Sequence, residues 1–282
     1  MKVTRLDAEG FVRAAGPFLA AREAQHNLLL GLSGRLVRNA HLYGEDDPYF
    51  AVVEDGGRIV TAALRTPPHN LILAESDGGA GYEALAADVH AVFGELPGVN
   101  GPAAGIGAFV SAWGGLTGAS GRLVMAQGIY EATEVVAPVG VEGGMRDMVD
   151  ADRGLVLDWV RAFTREVLPE DGPDEAEGFL ERRAADPAAR IVLWEDGAPV
   201  SLAACGAATP HGIRIGPVYT PPELRGRGYA SALSAELTRQ LLAGGRDLCF
   251  LYTDLANPTS NAIYTRIGYR RVGDVEWWRL EG

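Results

Sequence analysis

Lysine is almost missing from this chain of 282 residues: Lys2 is the only one, and arginine carries the rest of the permanent positive charge. With so much alanine and glycine, that bias has the look of a GC-rich bacterial genome. Cysteine is nearly as scarce. Cys205 and Cys249 sit in apolar stretches where a thiol usually serves as a small core residue, so a disulfide between them is not expected, and the lack of a C-x-x-C spacing argues against zinc. Long apolar runs are lacking too: none approaches the roughly 20 residues that span a bilayer. The opening MKVTRLDAEG has no apolar core of the kind a secretory signal needs, so a cytoplasmic location is expected, with no membrane partner. Basic charge is in short supply, with 25 Lys+Arg against 37 Asp+Glu, a net charge of −12 and a pI near 4.9. Nucleic-acid binding needs a concentrated basic face, so that partner class is excluded. His26, His41, His69, His90 and His211 show no ligand spacing, and no metal is expected.

What is present is a repeat. Phe50–Leu73 reads FAVVEDGGRIVTAALRTPPHNLIL and Arg190–Ile215 reads RIVLWEDGAPVSLAACGAATPHGIRI. Each is a strand, an Asp-Gly turn, a second strand of small residues, a Pro-His pair and a third strand. Asp55-Gly56 and Asp196-Gly197 are hairpin turns because glycine takes positive φ without a Cβ clash. They lie 141 residues apart, half the chain, which points to a tandem duplication. Helical spacing marks Glu9–Leu19, Ala24–Leu42, Arg153–Leu168 and Asp174–Ala185 before the hairpins, and Gly81–Phe93 and Ala230–Leu242 after them. The order per half is helix, helix, hairpin, strand, helix, strand, helix, strand. That is an α/β chain with a mixed sheet in each of two domains, 1–140 and 141–282, divided near Val139–Gly144. Arg122–Val136 has strand-like density and is expected to close the first half or to bridge the two.

In the second half, strand Ile213–Thr220 runs through Pro221-Pro222-Glu223-Leu224 into Arg225-Gly226-Arg227-Gly228-Tyr229-Ala230-Ser231 and then an apolar helix. A glycine-rich turn feeding a helix N-terminus is suited to an anion: the first N–H groups lack intrahelical partners and the macrodipole adds about half a positive charge. A Walker loop is excluded, since no Gly-Lys-Ser/Thr follows. A nicotinamide-binding fold is disfavoured because Ser231 stands at the third glycine position, Asp254 is too distant, and the preceding strands form hairpins.

Arg225-x-x-Gly228-x-Ala230 resembles the pyrophosphate-binding loop of the GCN5-related N-acetyltransferases, Q/R-x-x-G-x-G/A. Asn257-Pro258-Thr259-Ser260-Asn261-Ala262-Ile263-Tyr264, continuing to Gly268-Tyr269, resembles that family's second motif. The resemblance spans roughly Met145–Leu280. It implies tandem acyl-CoA N-acyltransferase folds, acetyl-CoA as cosubstrate without a metal, and direct acetyl transfer to a primary amine, most simply a small cationic molecule. It implies that the backbone from Arg225 to Ser231 cradles phosphates, that Asn257 and Asn261 face the pantetheine, and that Tyr264 is the general acid. The family's corresponding strand carries a bulge where Gly216-Pro217 stands here, with Val218 and Tyr219 offering main-chain N–H groups to a developing oxyanion. Each residue also has a plainer reading: Asn257 as a helix N-cap, Arg225 and Arg227 as surface residues, Tyr264 as a core tyrosine. For the base, Glu223, Glu195, Asp254 and a water relay stay open. An acyl-CoA-binding regulatory module without chemistry is the alternative function. The first half reads Glu75-Ser76-Asp77-Gly78 where phosphates would sit, so it is expected to have lost that ligand and to serve as scaffold or to shape the acceptor pocket.

Overall fold

A computed structural model describes residues 1–76, 79–167 and 176–282. Asp77 and Gly78 of the first-half loop, and Leu168, Pro169 and Asp174 of the expected helix ends, lie outside the described residues. The chain divides into two compact units. The first comprises 1–129, 252–258 and 272–282; the second comprises 130–251 and 259–271.

In the first unit, β1 (Lys2–Leu6), β2 (Tyr49–Asp55), β3 (Arg58–Arg65) and β4 (Leu71–Leu73) pair antiparallel in sequence order. β4 then meets β5 (Gly98–Pro102) in parallel, and β5 is flanked by β12 (Arg270–Glu281), antiparallel from Val275↔Pro102 to Arg279↔Gly98. Helices α1 (Ala8–Ala20) and α2 (Asn27–Arg38) cover one face, and α3 (Gly79–Phe93) and α4 (Ile106–Thr117) the other. The period of two explains both layers. On β2, Phe50 and Val52 pack with Phe11, Leu19 and Leu36, while Tyr49, Ala51 and Val53 pack with Leu85, Val89 and Trp113. α1 starts where Asp7 accepts a hydrogen bond from the Gly10 N–H at 2.7 Å. β6 (Ser120–Ala132) has most of its length here, and its last residues belong to the second unit.

The second unit repeats the plan. β7 (Gly144–Asp147), β8 (Arg190–Glu195), β9 (Pro199–Gly206) and β10 (Gly212–Tyr219) are antiparallel in order, and β10 meets β11 (Leu248–Asp254) in parallel. Its helices are α5 (Arg153–Val167), α6 (Ala176–Ala184), α7 (Tyr229–Ala243) and α8 (Pro258–Arg266). The expected duplication is thus visible strand by strand. Two strands escaped the sequence reading, β1 and β7. Both are short edge strands of mostly exposed or half-buried residues, too short to show a period. The first hairpin turn also sits one residue later than read: Asp55 still pairs with Arg58, and Gly56 and Gly57 make the turn with φ of 57° and 83°.

Cys205 and Cys249 are buried and free, and burial pushes the Cys249 thiol up to about 12. Among the described residues no helix is long and apolar enough to cross a membrane.

Two outcomes follow for stability. A Cβ on Gly212 would stand 2.2 Å from the Phe250 ring and 3.0 Å from the Leu248 carbonyl, so Gly212→Ala is expected to cost about 1–3 kcal/mol in urea unfolding. His26 is 3% exposed, and burial holds its pKa below the ordinary value. Its contribution is complete above the unfolded value of about 6.5 and declines as pH falls below that, because the unfolded chain takes up the proton first. The loss of stability between pH 7 and 5 should therefore be smaller in His26→Gln than in the parent.

Candidate functional site

The backbone ladder of the second unit is interrupted in the middle of β10. β10 pairs with β11 only from Gly212↔Leu248 to Arg214↔Phe250, and on its other side the register with β9 shifts between Ile215 and Val218. Gly216 takes a φ of 148°, open to glycine, and Pro217 has no N–H to give a ladder. Pairing resumes at Val218↔Ala203 and Tyr219↔Leu202. Arg183 of α6 donates to the Gly216 carbonyl at 2.7 Å, and the Ser201 hydroxyl donates to the Tyr219 carbonyl at 3.0 Å. The bulge read from Gly216-Pro217 is present, and it leaves the second half of β10 without its parallel neighbour.

From Tyr219 the chain crosses a short 3-10 turn, Pro222–Leu224, and enters α7 through Gly228. Gly226 and Gly228 both take left-handed φ, 78° and 86°. Alternation of that kind turns successive N–H groups to one side and forms an anion-binding nest at the helix N-terminus. Ala230 and Ser231 lie in the first turn of α7, where main-chain N–H groups have no intrahelical acceptor. Arg227 is exposed beside the loop. Tyr229 points inward instead: it is 6% exposed, and its hydroxyl donates to Asp196 at 2.6 Å, which raises its pKa, with Arg227 pulling the other way. Its side chain anchors the helix to the β8–β9 turn and leaves only its backbone for a ligand.

Arg225, read as shaping the loop or meeting the pyrophosphate, has partners that the sequence did not disclose. Its Nε donates to the Thr220 carbonyl at 2.9 Å, its Nη2 binds both oxygens of Glu166 at 2.8 and 2.7 Å, and its guanidinium lies 5.8 Å from the Tyr219 ring centre. Glu166, at the end of α5, was missed because only the fold joins it to a residue 59 positions away. Burial, and then the Glu166 charge, raises the Tyr219 phenol, and Trp159 stands 6.3 Å from that ring.

Tyr264 lies on α8, half-buried against the core between α7 and the sheet, 5.9 Å from the Tyr269 ring. Burial pushes its hydroxyl up to about 12, with Ser234 pulling it down. Asn261 accepts from the Tyr130 hydroxyl at 3.2 Å. Asn257 immediately precedes α8, whose first residue is Pro258, so the cap position read from the sequence is occupied. Of the carboxylates weighed as base, Asp254 accepts from the Ala256 N–H at 2.8 Å within its own turn, and Glu195 is tied to Arg146 at 2.5 Å. Glu223, exposed on the 3-10 turn, makes no hydrogen bond or ion pair among the described residues.

The geometry has a counterpart in known proteins. Residues 195–278 match the family model described as FR47-like protein. An X-ray structure of a Drosophila protein has a TM-score of 0.69 at 14% identity, covering 99% of this chain and 98% of that one. A GCN5-related N-acetyltransferase from Sphaerobacter thermophilus has 0.63 at 19%, covering 99% and 95%. A tandem GNAT protein from the clavulanic acid biosynthesis pathway, solved without acetyl-CoA, has 0.60 at 14%, covering 99% and 98%. No curated protein matches the chain significantly.

The two loop glycines separate strain from crowding. A Cβ on Gly226 meets open space, whereas one on Gly228 meets Val141 at 3.0 Å. Gly226→Ala should cost about 1 kcal/mol for its left-handed φ alone, and Gly228→Ala more, about 2 kcal/mol, by urea unfolding.

Proposed function

Because the chain carries the tandem fold of the GCN5-related N-acetyltransferases, with an FR47-like domain at 195–278, we propose that its second unit transfers an acetyl group from acetyl-CoA to a primary amine on a small molecule. The observation that carries this reading is the left-handed pair Gly226 and Gly228 at the head of α7, beside a strand that parts from its neighbour after Arg214. A pyrophosphate fits the loop: Gly226 and Gly228 both take left-handed φ at the head of a helix, and the two carboxylates bound to the loop, Glu166 and Asp196, are each already engaged, by Arg225 and by the Tyr229 hydroxyl. The residues of the second unit that would hold the cofactor are the backbone of Arg225–Ser231, with Val218 and Tyr219 along the open edge of β10, and Asn261 on the second motif. Bound there, acetyl-CoA supplies an activated thioester.

The chain's own residues do the rest. Arg225, committed to Glu166 and Thr220, holds the loop in shape. The Tyr264 hydroxyl holds a proton throughout the neutral range, because burial pushes it up to about 12, and gives it to the departing thiolate. Glu223 is the carboxylate left to take the acceptor's proton, directly or through water. A main-chain N–H at Val218 or Tyr219 meets the charge that develops on the carbonyl oxygen.

Titration calorimetry with acetyl-CoA tests the reading: one-site micromolar binding is expected, and Gly228→Glu should abolish it by strain and charge. Tyr264→Phe should retain binding and lose about a hundredfold in thiol release or more. The parent's rate should climb with pH as the amine deprotonates, without a decline from Tyr264 below about pH 11. Absence of heat from a folded protein would end the assignment.

A further inference from the structure

One cavity among the described residues is lined wholly by the first unit. It measures about 50 Å³ and sits where β4 and β5 cease to pair, their parallel ladder running only from Leu71↔Val99 to Ile72↔Asn100. At roughly 15 Å³ for one water, it has room for a few heavy atoms.

Its wall combines apolar carbon with carboxamides and contains no charged side chain. Leu28, Leu29, Ile72, Leu73 and Val275 supply the carbon. Gln25, Asn100 and Gln127 supply amides whose hydrogen-bonding capacity is only partly used. Gln25 Nε2 donates to the Val272 carbonyl at 2.9 Å and Asn100 Oδ1 accepts from Asn70 at 2.8 Å, while Gln25 Oε1 and Asn100 Nδ2 have no hydrogen-bond partner among the described residues. Gln127, half-buried on β6, makes no side-chain hydrogen bond among the described residues. Tyr252, also on the wall, accepts at its hydroxyl from Asn27 Nδ2 at 2.9 Å. Asn27 supports that tyrosine and is not itself part of the wall.

His26 on the same wall adds no charge. Its Nε2 accepts from the Glu75 N–H at 3.2 Å, which places the proton on Nδ1, facing the Leu19 carbonyl at 3.1 Å. The ring is therefore neutral, and burial favours that form. An anion or cation entering this site would be desolvated without a countercharge. A phosphate is further excluded by Glu75, whose carboxylate is paired to Arg22 beside α3 where a cradle would have to be.

We propose that this cavity is a binding site for a small neutral molecule bearing a carboxamide, its N–H meeting free amide oxygens and its carbonyl meeting free amide N–H groups. The site is independent of the transferase reading.

Propionamide is the probe, with propionate and propylammonium as charged analogues of similar size. Titrated into the ¹⁵N-labelled full chain, propionamide should give saturable shifts of the Gln25, Asn100 and Gln127 side-chain amides, with a Kd on the order of 1–50 mM for so small a ligand. Each charged analogue should bind at least tenfold more weakly, as should Asn100→Leu and Gln127→Leu variants. Gln127→Leu, at a half-buried position, keeps the test open if Asn100→Leu fails to fold. Shifts that grow without saturating would mean a water-filled void only. That outcome, equal binding of propionate or propylammonium, or unchanged affinity in a folded variant, would overturn the proposal.

Discussion

Between Ile215 and Val218 the ladder of β10 with β9 loses register, and its ladder with β11 has already stopped at Arg214. Everything proposed for the second unit depends on that interruption being held open. An unpaired stretch of central strand would ordinarily close up or collect water, because buried main-chain groups need partners. Here the surroundings fix it from several sides. Arg183 satisfies the Gly216 carbonyl, Ser201 bridges to the Tyr219 carbonyl and the Thr220 hydroxyl, and Arg225 reaches back to the Thr220 carbonyl. The exit of β10 and the entry of α7 are thereby locked to each other, which keeps the phosphate loop at a set distance from the open strand edge.

Much of this was legible in the sequence. The two Asp-Gly turns, half a chain apart, revealed the duplication, since a hairpin turn is a local event decided by a few residues. Gly216-Pro217 revealed the bulge for the same reason, because neither residue suits the middle of a regular strand. Gly226 and Gly228 revealed the loop. What was hidden is non-local. Glu166 is an ordinary helix carboxylate until the fold sets it against Arg225. β1 and β7 lack a period long enough to read and become strands only because β2 and β8 offer them edges. Tyr229 reads as part of a ligand loop, yet its ring is claimed by Asp196.

The arginine-rich composition takes on meaning at these contacts. Arg225 and Arg183 each address a backbone carbonyl, and Arg225 grips a carboxylate with a single planar fork in addition. An ammonium is a point charge with freely turning donors and does not hold two directions at once. Fixed geometry at the bulge and the loop therefore comes from the one basic side chain this protein uses freely.

The division of the chain has a consequence for how the protein is made. The first unit needs residues 272–282, since β12 pairs with β5 through Val275 to Arg279. On the ribosome that strand emerges after every other strand of its unit, long after α1, α2 and the first hairpin. The second unit, complete by residue 271, can settle while its predecessor in sequence still lacks an edge partner for β5. The half that is synthesised first is thus the half that is finished last.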